Sequence, residues 1–299
     1  MAEFRRTIPA IVAMAMWATN FVFSQAVIAD IGAVQLTGAR WMISLVALIP
    51  LALWLEKREW SVIRREIPLH LVQSLLGYVG YTLLLYSALQ STSPVTAAVL
   101  VALNPATIAI AAQFVLKDRL TRLAVIGILV SFVGAVIVVI GGQPIDDIHL
   151  GAGDGLILVA TVLWTIYSMI APRVETPPIT ATTIQATLAS LVMLPLMLLD
   201  EIGYNPGSWT AIEGTEWWGV VWIGLIPSAG AYFLWNVSSE WIGPTRTGAF
   251  LNLIPVFTAV FVVLLGGSVT VWHLVGGALV LVGVTLTERR TAVADHRLT

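Results

Sequence analysis

The sequence predicts an all-α membrane protein: ten transmembrane helices arranged as two inverted five-helix repeats. Three observations carry this expectation: the composition, an internal echo, and the distribution of basic residues. Of 299 residues, 58% are hydrophobic and only 11% charged, with a mean hydropathy of +0.90, whereas a soluble domain is about a quarter charged. A spanning helix needs about 20 apolar residues, and the sequence supplies such runs repeatedly. No charged residue lies between Thr7 and Ala29, only His70 between Ile67 and Leu116, and only His273 between Thr247 and Thr287. A membrane barrel would instead show ten-residue segments of alternating polarity.

The echo is the second observation. Ser91–Thr121 reads STSPVTAAVLVALNPATIAIAAQFVLKDRLT, and it returns as GPTRTGAFLNLIPVFTAVFVVLLGGSVT over Gly243–Thr270. Pro94 falls on Pro244, Leu103 on Leu253 and Pro105 on Pro255; after a slip of one residue, Gly127 falls on Gly276 and Gly134 on Gly283. A period of this length is too long for a soluble solenoid and predicts two similar halves. The expected spans are 8–29, 33–55, 68–90, 93–116, 122–141, 154–171, 179–199, 217–238, 245–266 and 270–287. The first repeat therefore covers 8–141, the second 154–287, and a polar tail follows over 288–299. The first span is too long for the apolar core of a signal peptide and is expected to stay in the mature protein.

Charge supplies the third observation. With the N-terminus inside, the inner segments collect fourteen of the fifteen Lys and Arg, from Arg5 and Arg6 to Arg289, Arg290 and Arg297. The outer loops hold no Lys or Arg, but do hold Asp30, Asp146, Asp147, Asp154, Asp200, Glu201, Glu213 and Glu216. The positive-inside rule thus places both termini in the cytoplasm. Five spans per half make the second half enter the membrane from the opposite face. Inverted repeats of this kind are a transporter architecture with the site between the halves near the midplane. The expected location is the cell inner (plasma) membrane, in the lipid bilayer, as a monomer or weak dimer.

Candidate site residues are the polar and aromatic groups at mid-depth, which usually face a bundle interior or a watery cavity. Trp17, Asn20 and Ser24 share one face of the first helix. Tyr78, Tyr81 and Leu85 share one in the third, and Asn104 lies near the middle of the fourth. Trp164, Tyr167 and Ser168 share a face of the sixth, and Tyr232, Trp235 and Asn236 one of the eighth. The expected substrate-binding set is Trp17, Asn20, Tyr78, Tyr81, Asn104, Trp164, Tyr167, Tyr232 and Asn236. Together they suit a small zwitterion with an apolar side chain. The blander alternatives are an Asn that only bonds a neighbouring helix and a Trp that only packs. Trp54, Trp60, Trp209, Trp217, Trp218, Trp241 and Trp272 read as interfacial belt. Pro105 and Pro255 read as hinges or as packing kinks. Arg40 lies a third of the way in from the outer face. It reads first as a snorkelling anchor or a partner of Asp30, and second as a contact for a substrate carboxylate. His70 and His273 read as interfacial. Gly127 with Gly134, and Gly276 with Gly283, read as close-packing scaffold or a dimer face.

Other chemistries are excluded or disfavoured. There is no cysteine, so no thiolate or Cys-metal site, and no metal or cofactor is expected. No phosphate-binding loop with its Lys appears, no clustered acid–base set that an intramembrane enzyme would need, no filter motif of a channel, and nothing that points to nucleic acid. No Asp or Glu lies at mid-membrane depth, where a proton-coupled carrier normally needs one.

The chain resembles a known family on four motifs taken in order. These are MAMWATNF (14–21), Gly38-Ala39-Arg40-Trp41, the SPVTAA…LNP…LKDRLT run with its repeat GPTRTGAFLNLIP, and ATVLWTIYS (160–168). It is similar over nearly its whole length to the EamA domain, present twice, of the drug/metabolite transporter superfamily. Within that superfamily it is similar to the bacterial amino acid exporters, those for aromatic amino acids in particular. The resemblance implies a ten-helix inverted repeat, a central cavity and export of small molecules such as amino acids. The halves differ at two places: Tyr167 stands where the first half has Asn20, and Ile254 where it has Asn104.

Overall fold

The computed structural model describes residues 2–57, 59–91, 97, 100–117, 120–140, 151–203, 214–264, 266 and 270–288. The outer loop expected at 141–150, the start of the fourth expected span, Pro94, Trp209 and the tail beyond 288 lie outside them. Everything regular among the described residues is helix. Each expected span contains helix over its described residues, but several are not single smooth helices, and the interruptions position the site.

Helix α1 (Ala2–Leu55) is two arms, 2–31 and 33–55, joined at Gly32. Gly32 has φ 78° and ψ 172°, a conformation open essentially to glycine alone, so the chain folds back with no loop at all. Helix α2 (Trp60–Gln73) passes through a π-helical turn (Ser74–Gly80) into α3 (Tyr81–Leu89). Helix α4 is Asn104–Val115, α5 is Arg122–Ile140, and α6 is Ala152–Ile170. Helix α7 (Pro178–Gly203) follows a short 3-10 turn. Helix α8 (Gly214–Ile223) passes through a second π-helical turn (Gly224–Gly230) into α9 (Ala231–Ile242). Helix α10 (Pro244–Ala249), a 3-10 turn (Phe250–Asn252), α11 (Leu253–Leu264) and α12 (Val271–Glu288) complete the chain.

The echo seen in the sequence extends to these irregularities. The two π turns, 74–80 and 224–230, lie 150 residues apart. Residues 102–103 ahead of Pro105 leave the α-helix, as do Phe250–Asn252 ahead of Pro255. A proline lacks the N–H of its own helical bond and crowds the preceding turn. That is why the expected smooth spans 93–116 and 245–266 are instead broken, with Pro105 in the first turn of a new helix.

Among the described residues, five helices are long and apolar enough to cross a membrane: Val27–Leu55, Trp60–Leu89, Ala152–Arg173, Pro178–Gly203 and Trp217–Ile242. Their outward faces are greasy. Trp54 is 84% exposed and Trp218 76%, while Trp60, Trp241 and Trp272 are also exposed, the placement of belt residues. The interior is packed by both arms of α1 against α7, α9, α11 and the second π turn, and by α3 against α6.

Helices α5 and α12 pack mainly on each other. A Cβ placed on Gly134 would sit 2.6 Å from the Gly276 carbonyl, and one on Gly283 would sit 2.5 Å from the Gly127 carbonyl. Both glycine faces are therefore consumed within one chain, as scaffold, and are not left over for a dimer. Gly276→Val should lower the thermal midpoint of the purified protein in detergent, by the ~1–3 kcal/mol typical of overpacking or more. Gly155→Ala, with open space around it, should leave the midpoint unchanged or raise it. Equal losses in both variants would refute a close-packed crossing.

Candidate functional site

The centre of the bundle is a cluster of aromatic rings drawn from five segments. Trp17 meets Trp164 edge-on at 5.3 Å, Tyr232 at 5.5 Å and Trp235 at 5.5 Å. Trp164 lies 5.0 Å from Tyr167 and 4.9 Å from Tyr81. Trp41 stacks on Tyr78 at 4.3 Å and meets Tyr232 at 4.8 Å. Such pairs add about 0.5–1.5 kcal/mol each beyond area burial.

Each ring with a polar tip needs a partner in so dry a setting, and the π turns provide several. Trp17 Nε1 donates to the Pro227 carbonyl at 3.0 Å, Trp41 Nε1 to that of Tyr78 at 2.8 Å, and the Tyr232 hydroxyl to that of Gly77 at 2.9 Å. All three acceptors belong to π turns. The wider winding of a π turn displaces the regular ladder, and carbonyls in it are within reach of side chains. Thr82 Oγ1 also donates to the Tyr78 carbonyl.

A cavity of about 460 Å³ opens beside this cluster, lined by Trp17, Asn20, Arg40, Tyr81, Thr82, Leu85, Val101, Asn104, Trp164, Tyr232, Leu251 and Ile254. Of the nine expected site residues, Trp17, Asn20, Tyr81, Asn104, Trp164 and Tyr232 line it. Tyr78, Tyr167 and Asn236 do not; they form a layer on its far side. There the Tyr167 hydroxyl donates to Asn236 Oδ1 at 2.7 Å, and Asn236 Nδ2 to Thr182 Oγ1 at 3.0 Å. Beyond that layer Asn236 lines a second space of about 290 Å³ with Gln73, Thr176, Gln185 and Glu240. Ile254, the apolar counterpart of Asn104, faces the same cavity as Asn104, so its two walls differ chemically. Asn104 Oδ1 and Trp164 Nε1 are buried with no hydrogen-bond partner among the described residues. Asn104 thus does not serve merely to tie two helices together through that oxygen.

Arg40 corrects its sequence reading. It is 3% exposed, neither a snorkelling anchor nor a partner of Asp30, and none of the ion pairs among the described residues includes it. Its Nε donates to Ser228 Oγ at 2.7 Å and its Nη1 to the Tyr86 hydroxyl at 2.6 Å, which itself donates to Asn20 Oδ1 at 2.8 Å. The guanidinium carbon stands 5.0 Å from the Trp41 ring and 5.5 Å from the Tyr86 ring. Tyr86 escaped the sequence reading, although Tyr78, Thr82 and Tyr86 form one stripe at a spacing of four.

At the end of the bundle carrying Lys57, Arg64, Arg65 and Arg173, two carboxylates bind backbone amides of a distant segment. Glu56 accepts the Ile179 and Thr180 amides, at 2.9 and 2.7 Å, covering free N–H groups in the first turn of α7. Glu66 accepts the Glu175 and Thr176 amides at 3.0 Å each and the Thr176 hydroxyl at 2.7 Å. His70, expected at an interface, is instead fully buried. It lies between Thr176 and Gln185, at 3.2 and 3.3 Å, because this turn folds over the end of α2. His273 caps locally, with Nδ1 accepting the Thr270 amide at 3.0 Å.

Comparison with known proteins gives the family and the fold. The model of the EamA-like transporter family matches residues 7–140 and again 151–289. An uncharacterized transporter of Bacillus subtilis, YyaM, is 28% identical over 254 residues, 83% of this chain and 82% of that protein. The aromatic amino acid exporter YddG of Ancylobacter novellus is 26% identical over 209 residues, 69% of this chain and 70% of that protein. A solved crystal structure that shares 22% identity superposes with a TM-score of 0.80 over 98% of each chain, which establishes the fold. With the family model matched across both halves, and with relatives that are membrane transporters, the chain belongs to the EamA-like transporter family.

Proposed function

We propose that the protein exports amino acids, aromatic and other neutral ones, from the cytoplasm across the inner membrane. The observation that carries this reading is the cavity itself: a wall of Trp17, Tyr81, Trp164 and Tyr232 against two amides, Asn20 and Asn104. Apolar rings would hold an apolar side chain, and the few polar groups would hold the backbone of the amino acid. The name of the Ancylobacter relative, an aromatic amino acid exporter, supports the same substrate class. In this reading all ten helices span the bilayer as two inverted repeats, 8–141 and 154–287, with both termini cytoplasmic.

Transport proceeds by alternating access, the two repeats rocking about the cavity with Pro105 and Pro255 as hinges. The Glu56 and Glu66 contacts close the cytoplasmic end, so the large cavity belongs to the outward side. No carboxylate lines that cavity among the described residues. Glu66 sits instead at the bundle end with its charge committed to amides. Movement is therefore facilitated diffusion or exchange without obligatory proton coupling. A second reading is export of drugs or other metabolites, which the same aromatic wall would serve.

Counterflow in proteoliposomes, with labelled amino acids and cationic drugs, separates the two readings. Phenylalanine should exchange with or without an imposed pH gradient, and a strict need for the gradient would overturn the coupling assignment. Trp17→Ala, Tyr78→Ala and Trp164→Ala should each slow exchange, by roughly 10-fold or more for a loss of ~1.4 kcal/mol or above. Wild-type rates in all three would remove the cavity from the transport path. Opening of the cytoplasmic end can be read separately, because the chain has no cysteine. A single Ala181→Cys reporter in the smaller space should react with a maleimide about 10-fold faster when combined with Glu66→Ala, which frees three donors. An unchanged rate would mean that Glu66 is not part of the closure.

A further inference from the structure

The cavity contains a cation for which the described residues provide no counter-charge. Arg40 is buried, and a guanidinium is a permanent charge that is costly to keep out of water unpaired. Its surroundings hold it in place without neutralising it. Ser228 Oγ and the Tyr86 hydroxyl take Nε and Nη1, and the rings of Trp41 and Tyr86 lie against the guanidinium. Ser228 is itself fixed, donating to the Ile223 carbonyl at 2.6 Å, and Tyr86 is fixed by Asn20. No carboxylate of the described residues lies within ion-pair distance of Arg40. Nη2 has no hydrogen-bond partner among those residues, and Arg40 lines the cavity. Two more residues that line the cavity carry buried polar atoms without partners among the described residues, Asn104 Oδ1 and Trp164 Nε1.

We propose that Arg40 is the carboxylate anchor of this cavity, and that the ligands it selects are apolar organic carboxylates, amino acids among them. The inference rests on reading the cavity as the substrate site and goes beyond it by naming the group the site requires. A carboxylate completes the charge of Arg40 through the edge its neighbours leave open, a geometry that guanidinium favours. Asn104 Oδ1 accepts from an α-ammonium when one is present. An amide carbonyl is a weaker partner for a cation than a carboxylate would be, so the amine is the dispensable group. A cationic amine with no carboxylate meets only the repulsion of Arg40.

The test uses the full chain purified in detergent and three ligands of one ring size: phenylalanine, 3-phenylpropanoate and phenethylamine. Binding is read by intrinsic tryptophan fluorescence and by the shift in thermal midpoint. The two acids should bind within about tenfold of each other, and phenethylamine roughly 30-fold more weakly or worse. Arg40→Gln, checked for a wild-type elution profile, should weaken both acids by roughly 30-fold or more and leave the amine no weaker. Should the variant not fold, the ligand series on the wild-type protein decides alone. Phenethylamine binding as tightly as the acids, or a folded Arg40→Gln that keeps the acid preference, overturns the anchor. Binding of 3-phenylpropanoate without phenylalanine sustains the anchor and refutes amino acid export. Binding of phenylalanine and phenethylamine without 3-phenylpropanoate does the reverse. Failure of all three ligands to bind refutes both.

Discussion

The arrangement depends on one constraint: in an interior this apolar, the polar tip of an aromatic side chain is costly to bury without an acceptor within the protein, and Trp17, Trp41 and Tyr232 each find one. A regular α-helix offers few, because its carbonyls are taken by amides four residues on. The π turns at 74–80 and 224–230 supply them. The carbonyls of Gly77, Tyr78 and Pro227 each receive a ring from elsewhere in the bundle, Tyr232, Trp41 and Trp17 respectively. Two of these bonds cross between sequence halves: Trp17 of the first half reaches a π turn of the second, and Tyr232 of the second reaches a π turn of the first. The irregular backbone therefore ties the halves together at the level of the cavity. Any movement of one half against the other has to exchange or carry these bonds.

The carboxylate contacts at the basic end differ in chemical character. Glu56 and Glu66 are first-half residues that accept from amides and a hydroxyl of residues 175–180 of the second half, and Glu66 also lies 3.8 Å from Arg65. A carboxylate on a helix N-terminus is favourable without a fixed cation, and such contacts can be exchanged for water when the end opens. The Arg65–Glu175 pair at 2.6 Å is exposed on both sides, and exposed pairs of this kind are worth little. The hydrogen bonds to Glu66, which is buried, and to the half-buried Glu56 therefore hold these segments together more than the exposed ion pair does.

Much of this was legible in the sequence. The helical class, the duplication and the aromatic positions follow from hydropathy, a fixed offset and helical spacing, all local properties. Six of the nine expected residues line the larger cavity because depth along a helix and a shared face suffice to place them. What was not legible depends on contacts between distant segments. Arg40 read as an interfacial anchor because an isolated Arg in an apolar helix usually is one. Its actual partners, Tyr86 and Ser228, lie 46 and 188 residues away, and nothing local announces them. His70 read as interfacial for a similar reason, since only the fold of the 174–178 turn buries it. The π turns left a partial trace, Pro227 in one and two glycines in the other, but no winding can be read from those residues alone.

The asymmetry between the halves is where the duplication and the site meet. A perfectly repeated pair would present the same groups on both walls, and a ligand with two unlike ends would then have no preferred orientation. Here Asn104 lines the cavity together with Ile254, its own counterpart. Asn20 receives the Tyr86 hydroxyl, while its counterpart Tyr167 lies in the layer beneath, bonded to Asn236. The amide and guanidinium groups of the larger cavity, Asn20, Asn104 and Arg40, come from the first half, as do Trp17 and Tyr81, and the second half contributes Trp164, Tyr232, Leu251 and Ile254. The two halves thus share a sequence pattern, and divergence at a few positions confines the amide and guanidinium groups of the cavity to one of them. That division suits a molecule with one charged end and one apolar end, and it requires no change to the repeated backbone.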